Sequence, residues 1–183
     1  MTRRDRRRVL VAGVGNVFLG DDAFGVEVVN RIDPSALPAG VQVADYGIRG
    51  VHLAYELLGG GYDSLIIVDA IPVEGPPGTL AVIDASSGEG ATGPGTADAL
   101  GAAPIDGHGM TPQAVLNLLS NLGGEMDRVL VVGCRPAVLD EVMELSEPVR
   151  AAVGDAVALV RELACQEAAA DCPQRADAER ARA

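Results

Sequence analysis

Five short apolar runs punctuate the chain, at Val9–Val14, Val41–Ala44, Leu65–Asp69, Thr79–Ile83 and Val129–Gly133. Apolar residues recur instead at helical spacing over Phe24–Ile32, Val51–Leu58, Pro112–Leu122 and Pro148–Ala164. Compact Val- and Ile-rich runs predict buried strands, and the 3.6-residue recurrence predicts amphipathic helices. Strands and helices alternate, which predicts a largely parallel five-stranded sheet covered by helices on both faces and wound by right-handed crossovers. The link from Leu65–Asp69 to Thr79–Ile83, Pro72 to Gly78, is too short for a helical crossover, so one antiparallel strand is expected to interrupt the sheet. Ser146 before Glu147 and Pro148 is a start signal for the last helix.

Two segments break the pattern. Ser86–Ala103 is rich in Gly, Ala, Ser and Thr and too long for an ordinary connection, so it is either a mobile flap over a site or a disordered insertion. Ala168–Ala183 mixes Ala with charges and lacks a core pattern, as a frayed, disordered tail would. The expected organisation is a basic extension over 1–8, one domain over 9–167 and the tail over 168–183.

Composition narrows the class. A chain of 183 residues with 48% hydrophobic residues can bury a sizeable core. A net charge of −12 opposes general binding to nucleic acid or to anionic membrane. Arg3, Arg4, Arg6, Arg7 and Arg8 before the apolar Val9–Val14 imitate a twin-arginine export signal. Asn16 and Gly20-Asp21-Asp22 end the apolar run too early, and no small-residue cleavage site follows, so the arginines read as a solvated extension and a cytoplasmic protein is expected. Cys134, Cys165 and Cys172 form no Cys-x-x-Cys pair and fit neither a disulfide framework nor a thiolate zinc site. Cys134, at a strand end, reads as buried structural cysteine rather than a nucleophile.

In open α/β sheets ligands bind beyond the carboxyl ends of the strands, so the residues following each run carry the candidate chemistry. After the first run comes Gly13-Val14-Gly15-Asn16-Val17-Phe18-Leu19-Gly20-Asp21-Asp22-Ala23-Phe24-Gly25, a tight turn bearing two adjacent acids. Two neighbouring carboxylates repel, so one is expected to face a cation or a proton and the other to cap the following helix. Asn16 reads mainly as a pin for the turn, with a hydrogen bond to substrate backbone as the alternative. Asp45, Gly47 and Gly50 follow the second run, and Asp69 closes the third among apolar neighbours. His52 reads as a surface or packing residue. His108 lies in a Gly-flanked turn that opens a helix, a context suited to a group that reaches a site. Asp22, Asp69 and His108 would make a two-carboxylate, one-imidazole set able to hold a borderline divalent metal with open positions. Gly13-Val14-Gly15 also suggests dinucleotide binding, but Phe18 stands where the third Gly belongs and acids occupy the place of the pyrophosphate. No Gly-x-Ser-x-Gly elbow is present.

Over roughly Val9–Ala164 the chain resembles the NiFe-hydrogenase maturation endopeptidases, which remove a C-terminal extension from the hydrogenase large subunit. The resemblance rests on Gly13-x-Gly15-Asn16 with Asp21-Asp22-Ala23-Phe24-Gly25, then Asp69-Ala70, then His108 before a helix, with Leu145-Ser146 and Val149 as a weaker late match. It implies a three-layer α/β/α sandwich with a twisted, mainly parallel sheet. It further implies that Asp22, Asp69 and His108 engage nickel already held by the cysteines of the large-subunit precursor, so that metal loading is read before the cut. Cleavage is then implied just after the His or Arg that follows the precursor's C-terminal metal-binding Cys pair, by a water rather than a Ser or Cys nucleophile. The family often has Glu where Asp22 stands, so the shorter side chain needs a closer backbone or an intervening water. Asp45-Tyr46-Gly47-Ile48-Arg49-Gly50 looks like the family's Asp-x-Gly-Thr-x-Gly loop with Ile48 in place of Thr. No organic cofactor is expected, and a monomer is. The alternatives are a hydrolase with its own permanent metal, and a metal- or nucleotide-binding module or chaperone of hydrogenase assembly that cuts nothing.

Overall fold

The computed structural model describes residues 7–86 and 111–169. The five apolar runs form β1 (Val9–Val14), β2 (Val41–Gly47), β3 (Ser64–Ala70), β4 (Leu80–Asp84) and β5 (Val129–Cys134). The helices are α1 (Phe24–Asn30), α2 (Gly50–Gly60), α3 (Pro112–Asn121) and α4 (Glu147–Ala169). They build one sheet of order β2-β1-β3-β5-β4, parallel except for the β4–β5 pair.

Side-chain alternation on the central strands creates two cores. Val9 and Val11 of β1, with Ile66 and Val68 of β3, pack against α1 and α4 through Val28, Val153 and Val160. Leu10 and Ala12, with Leu65 and Ile67, point to the other face and meet Leu53 of α2 and Val115 of α3. β1 and β5 are buried throughout, and β3 up to its last residue, which is why those runs read as continuously apolar. Truncating a central residue such as Ile66 to Ala would cost about 2–5 kcal/mol in transfer and cavity energy.

The antiparallel strand is present but lies at the sheet edge instead of interrupting it. After β3 the chain crosses the end of β5, held by the Arg135 guanidinium on the Val73 carbonyl (2.8 Å) and by the Gly78 N–H on the Arg135 carbonyl (2.8 Å). β5 then occupies the place between β3 and β4. Two expectations about the termini also change. Helix α4 continues to Ala169, and its buried Glu167 accepts from the Ser64 hydroxyl (2.8 Å) and Arg128 Nε (2.9 Å), with Arg7 at 3.9 Å. Arg8 lies over the Tyr62 ring at 4.7 Å while its N–H donates to Asp63 (2.8 Å). Arg7 is therefore tied to the body of the domain instead of being solvated, because a buried carboxylate offers it a partner, while Arg8 stays exposed and covers an aromatic face. The Ser86–Ala103 segment beyond Ser86, His108, Cys172 and the tail beyond Ala169 lie outside the described residues.

The winding direction reverses at β1, since β2 lies on one side of it and β3 on the other. The carboxyl ends of β1 and β3 thus flank the topological switch point, where open α/β sheets place ligands. No helix among the described residues is long and apolar enough to cross a membrane.

Candidate active site

A one-turn 3-10 helix, Gly20–Ala23, carries both adjacent acids from β1 into α1. Its approach to the sheet depends on two glycines. A Cβ at Gly25 would lie 2.0 Å from the Val68 carbonyl oxygen and 2.3 Å from that of Val14. One at Gly15, where φ is +131°, would lie 1.8 Å from the Asp22 carbonyl oxygen. The absence of side chains at these points lets the start of α1 settle against the ends of β1 and β3. Asn16 closes the turn in two ways: its N–H donates to Asp22 Oδ2 (2.7 Å), and its Oδ1 accepts from the Phe18 N–H (3.0 Å).

Neither acid caps a helix, contrary to the expectation for one of them. Asp21 is fully buried. It accepts from the N–H groups of Ala137 (2.7 Å), Val138 (2.8 Å) and Ser146 (2.7 Å) and from the Ser146 hydroxyl (2.8 Å). Burial disfavours its charge, but these four donors together outweigh burial and hold its carboxyl below the ordinary value. The Ser146 hydroxyl that was expected to signal the start of α4 serves Asp21 instead, while the Ser146 carbonyl accepts the Arg150 N–H at 2.8 Å.

Asp22 and Asp69 are treated differently. Among the described residues Asp22 accepts only the Asn16 N–H, and burial pushes its carboxyl above the ordinary value against that single donor. Asp69, 6% exposed, accepts the N–H of its neighbour Ala70 (2.8 Å). Burial first, and the charge of Asp22 second, push it well above the ordinary carboxylate value. Two partly desolvated carboxylates that repel each other at a switch point can share a proton or hold a cation between them. Either arrangement suits general acid–base work on a water or a peptide carbonyl.

The other candidate residues divide clearly. Asp45 is exposed at the end of β2, opposite Gly13 of β1, and its backbone carbonyl accepts from the Arg49 guanidinium (2.8 Å). Gly47 adopts φ +50° and its carbonyl receives the Gly15 N–H (3.0 Å), which joins the β2–α2 loop to the β1–α1 loop. His52 is an exposed residue of α2. Cys134 is buried, and its thiol is pushed up to about 11 by burial and then by the charge of Asp21, so it is protonated and inert at neutral pH. His108 falls outside the described residues, although Thr111, whose hydroxyl caps α3 on the Ala114 N–H (3.2 Å), fixes where the following helix begins. Sequence reasoning missed the loop after β5, with the backbone of Ala137 and Val138, as the partner of Asp21. Backbone donors carry no side-chain signature, and only the weak Leu145-Ser146 match pointed there.

The fold is that of a doubly wound α/β protein with two interacting carboxylates, Asp22 and Asp69, beside its switch point. The family pattern HycI, hydrogenase maturation protease, matches residues 26–163, and the chain belongs to that family of peptidases. Among its relatives, the hydrogenase expression/formation protein HupM of Azotobacter chroococcum is 30% identical over 93% of this chain and 78% of its own. The hydrogenase maturating endopeptidase HybD from E. coli superposes with a TM-score of 0.69 at 29% identity, covering 93% of this chain and 99% of that one. A hydrogenase 2 maturation peptidase from a Thaumarchaeota archaeon superposes at 0.62 with 34% identity, covering 86% and 97%.

Proposed function

We propose that the protein removes the C-terminal extension of a NiFe-hydrogenase large-subunit precursor after nickel insertion, and that Asp22, Asp69 and His108 read the precursor's nickel. The observation that carries this reading is the pair of mutually repelling carboxylates, Asp22 and Asp69, beside the switch point of a maturation-protease fold. Their mutual repulsion makes the crevice a poor place for two free anions and a good one for an arriving cation. A nickel ion presented on the precursor's own cysteines supplies that cation, and an imidazole from His108 would complete a borderline donor set. The nickel belongs to the substrate, so metal loading and cleavage are coupled without a resident metal.

In this reading the two carboxylates also do the proton work. With their carboxyls above the ordinary value, one can hold a proton while the other accepts one from the attacking water. Asp21 and Asn16 do not touch the substrate. They fix the turn, and so the position of the Asp22 carboxylate, through the hydrogen bonds already described. The test is to incubate the purified protein with nickel-loaded and nickel-free precursor and read C-terminal shortening by intact mass. Shortening of the loaded form alone is expected. Cutting of both forms would remove the nickel check, and failure on a cognate loaded precursor would remove the peptidase reading.

A further inference from the structure

Asp22 stands in a single 3-10 turn, Gly20–Ala23, that has no side-chain cap. So short a turn has too few internal bonds to hold its own shape. Among the described residues the Asp22 carboxylate accepts only the Asn16 N–H. Its place is therefore set by whatever grips the turn. Two backbone bonds reach the turn from the segment after β5, the Gly20 N–H on the Val142 carbonyl (2.7 Å) and the Asp21 N–H on the Val138 carbonyl (2.8 Å). The Asp21 carboxylate completes the grip through Ala137, Val138 and Ser146.

Ser146 differs from the other partners. Of the four groups bound to the Asp21 carboxylate, three are backbone N–H groups and the Ser146 hydroxyl is the one side chain. Ser146 directs its N–H (2.7 Å) and its hydroxyl (2.8 Å) to Asp21, while its carbonyl accepts the Arg150 N–H of α4 (2.8 Å). Helix α4 runs for 23 residues and is anchored on the sheet by Val149, Val153 and Val160, all fully buried. Ser146 thus joins a short turn to a long packed helix. The join works against a standing force, because Asp22 and Asp69 repel each other and a loosened turn would let Asp22 swing away. Rigid support of this kind matters to a reacting group, since a displacement of about 1 Å can cost on the order of a hundredfold in rate.

We propose that Ser146 is a positioning residue for the cleavage, whose hydroxyl acts through Asp21 to hold the Asp22 carboxylate in place against Asp69. The proposal rests on the maturation-peptidase reading and deepens it. Ser146 contributes orientation and no chemistry of its own. The molecule contains a matched control. The Ser64 hydroxyl donates to the buried carboxylate of Glu167 at the same 2.8 Å, but at the start of β3, the opposite end of the strand from Asp69. Removing either hydroxyl takes one donor from a buried carboxylate, so the two losses of stability are comparable. Only the Ser146 bond leads to the site.

The experiment compares the wild-type protein with Ser146→Ala, Ser146→Thr, Ser146→Cys and Ser64→Ala. Values of kcat and KM are read from C-terminal shortening of nickel-loaded precursor by intact mass, below the melting temperature of every variant, and stability from thermal melts. Ser146→Ala is expected to lower kcat about tenfold or more with KM within about twofold of wild type. Ser146→Thr keeps the hydroxyl and should recover most of the rate. Ser64→Ala should melt earlier yet keep the wild-type kcat. Ser146→Cys has a weaker donor and should fall between Ser146→Ala and wild type, and it carries the test if Ser146→Ala does not fold. A wild-type kcat in Ser146→Ala or Ser146→Cys, an equal fall in Ser64→Ala, or a Ser146→Thr as slow as Ser146→Ala would each overturn the proposal while leaving the peptidase reading intact. A wild type that fails to cut a cognate loaded precursor would overturn that reading and this proposal with it.

Discussion

Asp21 and Asp22 are neighbours in one short turn, yet Asp21 accepts four hydrogen bonds in full burial while Asp22 accepts one beside a second, repelling carboxylate. The first is held below the ordinary carboxylate value and the second, with Asp69, above it. An anion whose lone pairs are filled by fixed donors is a structural element, because nothing remains for a ligand to add. One left short of donors carries an unmet electrostatic cost that a cation, a proton or a reacting group can relieve. The difference between two adjacent acids of one turn separates an anchored carboxylate from one left open to a partner.

The largest expected effects are on activity. Asp22→Ala, Asp69→Ala and His108→Ala should each lower processing of loaded precursor by about a thousandfold or more, read by intact mass, while leaving the fold in place. Asp21→Asn should act first on stability. An Asn amide turned toward backbone N–H donors forfeits charge-assisted bonds and faces donor with donor, a loss of about 3 kcal/mol by urea denaturation. Equal stability of Asp21→Asn and wild type would remove the anchor.

A smaller effect has the opposite sign. Asp69→Asn should be inactive but more stable than wild type at neutral pH, by about 1 kcal/mol, because it no longer buries a charge. The folded protein holds the Asp69 proton more tightly than the unfolded chain does. Wild-type stability therefore falls as pH rises from the ordinary carboxylate range to the raised folded value, and the advantage of Asp69→Asn should vanish in acid. For Asp21 the folded value is depressed. Its contribution is present above the ordinary carboxylate value and lost as pH falls through the folded one, so the deficit of Asp21→Asn should also fade in acid. Melts of both variants across this range read the two signs directly. The smallest effect belongs to Cys134. Its buried thiol should label with iodoacetamide far more slowly than exposed Cys165, and Cys134→Ala should process normally at a cost of about 1 kcal/mol.

Much of this molecule is local and was legible along the chain. Val9–Val14, Ser64–Ala70 and Val129–Cys134 announce themselves because strands buried on both faces must be continuously apolar. Pro112–Leu122 announces α3 because its apolar residues recur at helical spacing. Asp22 and Asp69 were singled out as candidates by their place after strand ends, since the carboxyl edge of such a sheet is where ligands go. Other features depend on contacts far apart in sequence. The edge position of β4 depends on β5 filling the gap, and the capture of Arg7 depends on Glu167 at the far end of the chain.

The sequence by itself determined the layered α/β architecture and marked Asp22, of two adjacent acids, as a candidate for chemistry. Only the tertiary structure decided what the other does, because the donors that neutralise Asp21 come from backbone 116 to 125 residues away. Hydrophobic periodicity is written in neighbouring residues, whereas the satisfaction of a buried charge is written in whichever distant groups the fold brings within hydrogen-bonding reach.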